Sequence, residues 1–73
     1  MARLTVPALD LLPGDIVTAS RVTIVRRLDA GELRRCNATG HAGYLVRYPD
    51  GGTEPHGWYV SATVDVERAE GAR

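Results

Sequence analysis

Lysine and phenylalanine are missing from this chain of 73 residues, cysteine and tryptophan occur once each, and the formal net charge is zero. Each scarcity excludes something. A lone cysteine, Cys36, cannot form a disulfide within the chain and fits a reducing compartment. No apolar run approaches the length of a membrane-spanning helix, so no membrane association is expected. The opening Met-Ala-Arg-Leu-Thr-Val-Pro-Ala-Leu-Asp lacks the continuous apolar core of a signal peptide, and the expected location is cytoplasmic. Zero net charge with a pI near 6.7 gives the whole molecule no general pull on polyanions. With lysine absent, all nine cations are arginines. Coding bias towards GC-rich codons accounts for this more simply than selection for guanidinium forks that grip phosphate or carboxylate.

What aromatic content there is lies in one stretch. Tyr44, Tyr48, Trp58 and Tyr59 all fall between Tyr44 and Val60, a segment that reads as strand, tight turn and strand. Alternation puts Tyr44, Val46 and Tyr48 on one side and Leu45 and Arg47 on the other. Asp50-Gly51 between two β runs is a hairpin signal, with Pro49 and Gly52 free to lengthen the loop. Pro55 makes the second strand irregular or an edge. Trp58 and Tyr48 are expected to fill the core.

Elsewhere the strand signals are short. Leu4 to Val6 reads as an edge strand, and Ala8 to Leu12 leaves room for one helical turn between Pro7 and Pro13. Leu-Pro-Gly-Asp makes a turn, Ile16-Val17 opens a strand, and Val22 to Leu28 is the clearest β run. Arg26 shares the parity of Val22, Ile24 and Leu28, which requires a bulge or an outward turn to keep its charge solvated. Asp29 to Glu32 reads as a turn and Leu33 to Ala38 as a weaker strand, so that residues 22–38 form a hairpin. Ser61 to Thr63 offers a single 3₁₀ turn. Val64-Asp65-Val66-Glu67 alternates, valines in and acids out.

These elements describe one small all-β domain of about five antiparallel strands. Pro13-Gly14-Asp15-Ile16-Val17, Asp50-Gly51, Trp58, the Ser61–Thr63 turn and the Val64–Arg68 strand together resemble the SH3-like small barrels. In composition, more than in motif, the chain also resembles small proteins of actinobacteria and their phages. The resemblance implies an N-terminal arm over residues 1–13, an SH3-like β-barrel over 14–68, with a possible 3₁₀ turn before the last strand, and a flexible tail over 69–73. It does not bring the peptide groove of SH3 domains, which needs an acidic, aromatic loop that nothing after Ile16-Val17 supplies.

Charge is unevenly spread. From Arg21 to Tyr48 six arginines face two acids, a local balance of +4, and the remainder carries three arginines against seven acids, −4. Arg26-Arg27 and Arg34-Arg35 flank the Asp29 turn and are expected to face each other across it. Arg26, Arg27, Arg34, Arg35 and Arg47, with Tyr44 and Tyr59 beside them, form the candidate binding surface. Exposed Arg and Tyr are residue types of protein interfaces, so the expected function is non-enzymatic protein–protein interaction, including self-association. The alternative is nucleic-acid binding, with phosphates on the arginines and bases stacked on Tyr44 or Tyr59. Against both stands pairing of these arginines with acids such as Asp65 and Glu67.

Cys36, His41 and His56 could be drawn as a metal site, but they lack the paired close spacings of structural zinc, and no cofactor is expected. Free cysteine is more often a small buried hydrophobe. No Ser/His/Asp order, phosphate-cradling glycine loop or inward pair of acids stands out, so neither enzyme activity nor a small-molecule substrate is expected.

Overall fold

Val64 and Val66 point inward while Asp65 stays exposed, and that alternation builds the last strand, which pairs with the first. The computed structural model describes residues 2–69. Six strands form one antiparallel sheet: β1 (Ala2–Pro7), β2 (Ile16–Val17), β3 (Thr23–Arg27), β4 (His41–Arg47), β5 (Thr53–Tyr59) and β6 (Thr63–Arg68). Their order across the sheet is β1-β6-β2-β3-β4-β5, so β6 joins the N-terminal strand to the middle of the molecule. A 3₁₀ turn spans Ala8–Asp10, and one short helix, α1, spans Ala30–Arg35. Among the described residues no helix is long and apolar enough to cross a membrane.

The all-β class holds, with six strands in place of about five. The sheet is curled but open, with β1 and β5 as its edges. Its curl is marked by the Tyr44 hydroxyl on β4, which donates to the carbonyl of Ala8 just past β1, 2.7 Å away. The expected arm over residues 1–13 is part of this domain. Leu4 and Val6 pair with Val66 and Val64, and Ala8 and Leu11 are buried in the core. The expected tail falls mostly on residues 70–73, outside the described residues.

Several local expectations are met by geometry. β3 slips register between Ile24 and Arg26, so the bulge puts Arg26 and Arg27 outside while Ile24 and Leu28 stay buried. Pro49-Asp50-Gly51 closes the β4–β5 hairpin, with the Gly51 N–H donating to Tyr48 and Gly51 at a φ of 95° that favours glycine. In the Leu-Pro-Gly-Asp turn Asp15 accepts from the Leu12 N–H at 2.9 Å.

Two expectations fail. The 3₁₀ turn lies at Ala8–Asp10, and before β6 there is only a tight turn in which Ala62 N–H donates to Tyr59. Leu33 to Ala38 is no strand, so residues 22–38 are not a hairpin and Arg26-Arg27 do not face Arg34-Arg35 across a β turn. The cause is a capping box. Asp29 accepts from the Glu32 N–H while the Glu32 carboxylate accepts from the Asp29 N–H, which starts α1. Asn37, at φ 56°, stops it: its own N–H donates to Arg34 and the Ala38 N–H to Leu33, satisfying the last carbonyls.

The core is Tyr44, Ile24, Val46 and Val66 with smaller neighbours. Tyr44, not Trp58, is its large filler. Trp58 is only partly buried, packing edge-on against Tyr44 with ring centroids 6.0 Å apart. The reason is position: Trp58 lies on edge strand β5, whose other residues are all exposed.

Candidate functional site

Alternation along β4 divides the candidate residues between two faces. Ala42, Tyr44 and Val46 turn into the core, so His41, Gly43, Leu45 and Arg47 lie on the outer face. Helix α1 sits on that face over Gly43. A Cβ at residue 43 would collide with the Leu33 side chain and lie 3.1 Å from Leu28 Cδ1, so a glycine is needed for the helix to approach this closely. Arg34 and Arg35 lie exposed in the last turn of this helix.

Of the seven residues expected at the site, three have structural work. Arg26 grips Glu32 through two bonds of 2.8 Å, which holds α1 to β3. These bonds, with the Asp29 N–H, pull the Glu32 carboxyl down from 4.5 to about 2. Arg27 donates to the Leu9 carbonyl at 2.5 Å, and its guanidinium carbon lies 5.6 Å from the Tyr44 ring centroid. Tyr44 is 1% exposed with its hydroxyl bonded to Ala8, so it offers no face to a base or a partner. That corrects its place in the expected surface. A strand parity read from sequence gives the side of the sheet, and here that side is the core.

Four remain: Arg34, Arg35, Arg47 and Tyr59. All are exposed, and among the described residues the three arginines have no side-chain hydrogen bond or ion pair. Arg47 lies in register between Thr23 and Thr53, neither of which can neutralise it. Tyr59 is 73% exposed and opposite His41, with ring centroids 5.2 Å apart. From His41 to Arg47 this face runs ~20 Å along the strand. Four acids outside this region are occupied: Glu67 pairs with Arg21 at 2.6 Å, Asp65 accepts from Thr5, Asp15 binds Arg68, and Glu54 accepts from Tyr48. Glu32, already bound to Arg26, also feels the charge of Arg35.

One feature of this region was not drawn from the sequence: the exposed Val60 and Leu9, at 48% and 45%, add apolar area at the end of β5 and in the 3₁₀ turn. β5 is an edge strand, as Pro55 signalled.

The remaining titratable groups lie in different parts of the described structure. A cleft of about 90 Å³ lies between α1, β4 and the 3₁₀ turn, lined by Leu9, Leu28, Leu33, Arg27 and His41 among others. It is well below the ~300 Å³ at which small-molecule sites begin. His41 stacks on Tyr59 on the outer face, whereas His56 stacks on Trp58 on the other, 4.3 Å away. Cys36 is exposed at the end of α1, not the small buried hydrophobe expected. Among the described residues no three His, Cys, Asp or Glu side chains converge on a metal position.

Comparison with protein-family models, with curated proteins and with solved structures finds no match for this chain.

Proposed function

We propose that this protein is a non-enzymatic binding module. It engages an acidic surface of a partner protein through the outer face of β4, β5 and α1, and a second copy of the chain is one such partner. One observation carries the reading: Arg34, Arg35 and Arg47 are exposed and make no salt bridge among the described residues, and Arg47 shares the outer face of the sheet with a tyrosine that is 73% exposed. Tyr and Arg supply most of the binding energy at protein interfaces because each combines a large apolar body with a directional polar end. The single antiparallel sheet, with a turn at Pro13-Gly14-Asp15 and a hairpin at Asp50-Gly51, supports reading the fold as an open relative of the SH3-like barrels.

Nucleic-acid binding by the same arginines is the second reading. The free face of Tyr59 favours it, since a base could stack there. Burial of Tyr44 counts against it, because a strand tracking the patch would find one platform in place of two.

The test is affinity capture from a cell lysate, repeated after nuclease treatment, with the wild-type chain and with Arg34→Ala/Arg35→Ala. A protein held after nuclease treatment and lost with the double variant supports the first reading. Material released by nuclease, with a steep dependence of binding on salt, transfers support to the second.

A further inference from the structure

The open side of β5 has an ordered set of unused backbone groups. In the hairpin the Tyr48 N–H donates to Gly52 and the Gly51 N–H to Tyr48, which makes residues 48 and 52 a hydrogen-bonded pair. Antiparallel ladders alternate, so residues 46 and 54, 44 and 56, and 42 and 58 bond across the ribbon. The backbone groups of Thr53, Pro55, Gly57 and Tyr59 therefore point away from β4, to the free edge. Consistent with this, the Gly43 carbonyl points the other way and accepts from Leu28 at 3.0 Å. Pro55, which has no N–H, falls on the free side, where it leaves the fold itself intact.

An open edge accepts another strand, here with Pro55 removing one of its donors, and its surroundings select which. Thr53, Pro55 and Tyr59, whose backbone faces outward, also have their side chains on the outer face with Arg47, and the segment that follows Arg34 and Arg35 reaches that face where Ala38 lies against Gly57. A second copy pairing through its own β5 would bring a second Pro55 and a second array of unpaired arginines. An acidic strand brings neither. The opposite edge, β1, is a poorer host for it, because Asp65 and Glu67 lie on the neighbouring strand, in register with Thr5 and Arg3.

Resting on the function proposed above, we infer that the partner is an extended acidic segment that adds as a seventh strand to the free edge of β5. Its alternate side chains place carboxylates over Arg34, Arg35 and Arg47, and its backbone bonds to the N–H groups of Thr53, Gly57 and Tyr59.

The probe is a capped peptide of alternating Glu and Val, about the length of β5. Successive amides of a strand point to opposite edges, so N-methylating every Glu, or every Val, blocks one edge at a time. Strand addition predicts that one methylated set binds at least about tenfold more weakly than the unmodified peptide while the other binds nearly as well. It also predicts slowed hydrogen exchange at Thr53, Gly57 and Tyr59 on binding. Binding that is lost in Arg34→Ala/Arg35→Ala, yet equal for both methylated sets and without added protection, overturns strand addition and leaves the cationic face standing. No binding of the unmodified peptide, or binding unaffected by the double arginine variant, overturns both. A free protein that sediments as a dimer with those three amides already protected gives the edge to a second copy and overturns the acidic partner.

Discussion

Asp15 and Arg68 hold the two halves of the chain together by a two-point contact, Nε to Oδ1 at 2.8 Å and Nη2 to Oδ2 at 2.7 Å. Asp15 is 1% exposed and also accepts the Leu12 N–H, so the Leu-Pro-Gly-Asp turn, β2 and the last strand meet at one carboxylate. Removing a partner of such a pair leaves the other charge without a counter-ion. Asp15→Ala is expected to cost about 3 kcal/mol in urea unfolding, the low end for a broken buried pair because Arg68 keeps some contact with water. Asp15→Asn is expected to cost less, since the amide oxygen can still accept from Leu12.

Acid weakens the fold through identified carboxylates. Burial pushes the Asp15 carboxyl up, but the bond from Arg68, the Leu12 N–H and the Arg68 charge outweigh it and hold the group below its usual 3.8. Glu32 lies at about 2 against its usual 4.5. A carboxyl depressed in the folded state binds fewer protons there than in the unfolded chain, so stability rises with pH across the window. Both contributions are complete above the usual values and fade as pH falls through them, for Glu32 towards about 2. Thermal melts taken across this range should show a falling Tm, and Asp15→Asn should flatten part of that fall.

Gly43 sets how closely α1 lies on the sheet. Gly43→Val puts a branched side chain where Leu33 packs, and is expected to cost about 1–3 kcal/mol by overpacking. Leu33→Ala in the same chain should recover part of the loss. Additive effects in the double variant would mean that the two residues do not meet.

Tyr44→Phe separates structure from recognition. It strips the donor from the Ala8 carbonyl and should cost about 1–2 kcal/mol of stability. Partner binding by the folded variant should be unchanged, measured by titration below its melting range. A loss of affinity without a loss of stability would return Tyr44 to the binding surface.

Local patterns carried much of the fold in the sequence. The valines of β6, the misplaced parity of Arg26 that demanded a bulge, and Asp50-Gly51 in the hairpin all act within a few residues, where sequence spacing and geometry coincide. The short helix was encoded as well, in Asp29 and Glu32 three residues apart and in Asn37. Six residues including Gly31 are too few for apolar periodicity, so the stretch read as turn and weak strand. The site was legible in part. Arg34, Arg35, Arg47 and Tyr59 stay on the surface, but the partners that remove Arg26 and Arg27 depend on where α1 and the 3₁₀ turn come to lie. Tyr44 took the core position expected of Trp58 because parity groups residues on a side of a strand, and only the strand order says whether that side is covered.

We place the working surface on the outer face of β4, β5 and α1. Two-dimensional ¹H–¹⁵N NMR during titration with the Glu-Val peptide locates it residue by residue. Shifts concentrated at Arg34, Arg35, Arg47 and Thr53–Tyr59 are the predicted result, and shifts centred on β1 and β6, or none at saturating peptide, would contradict it.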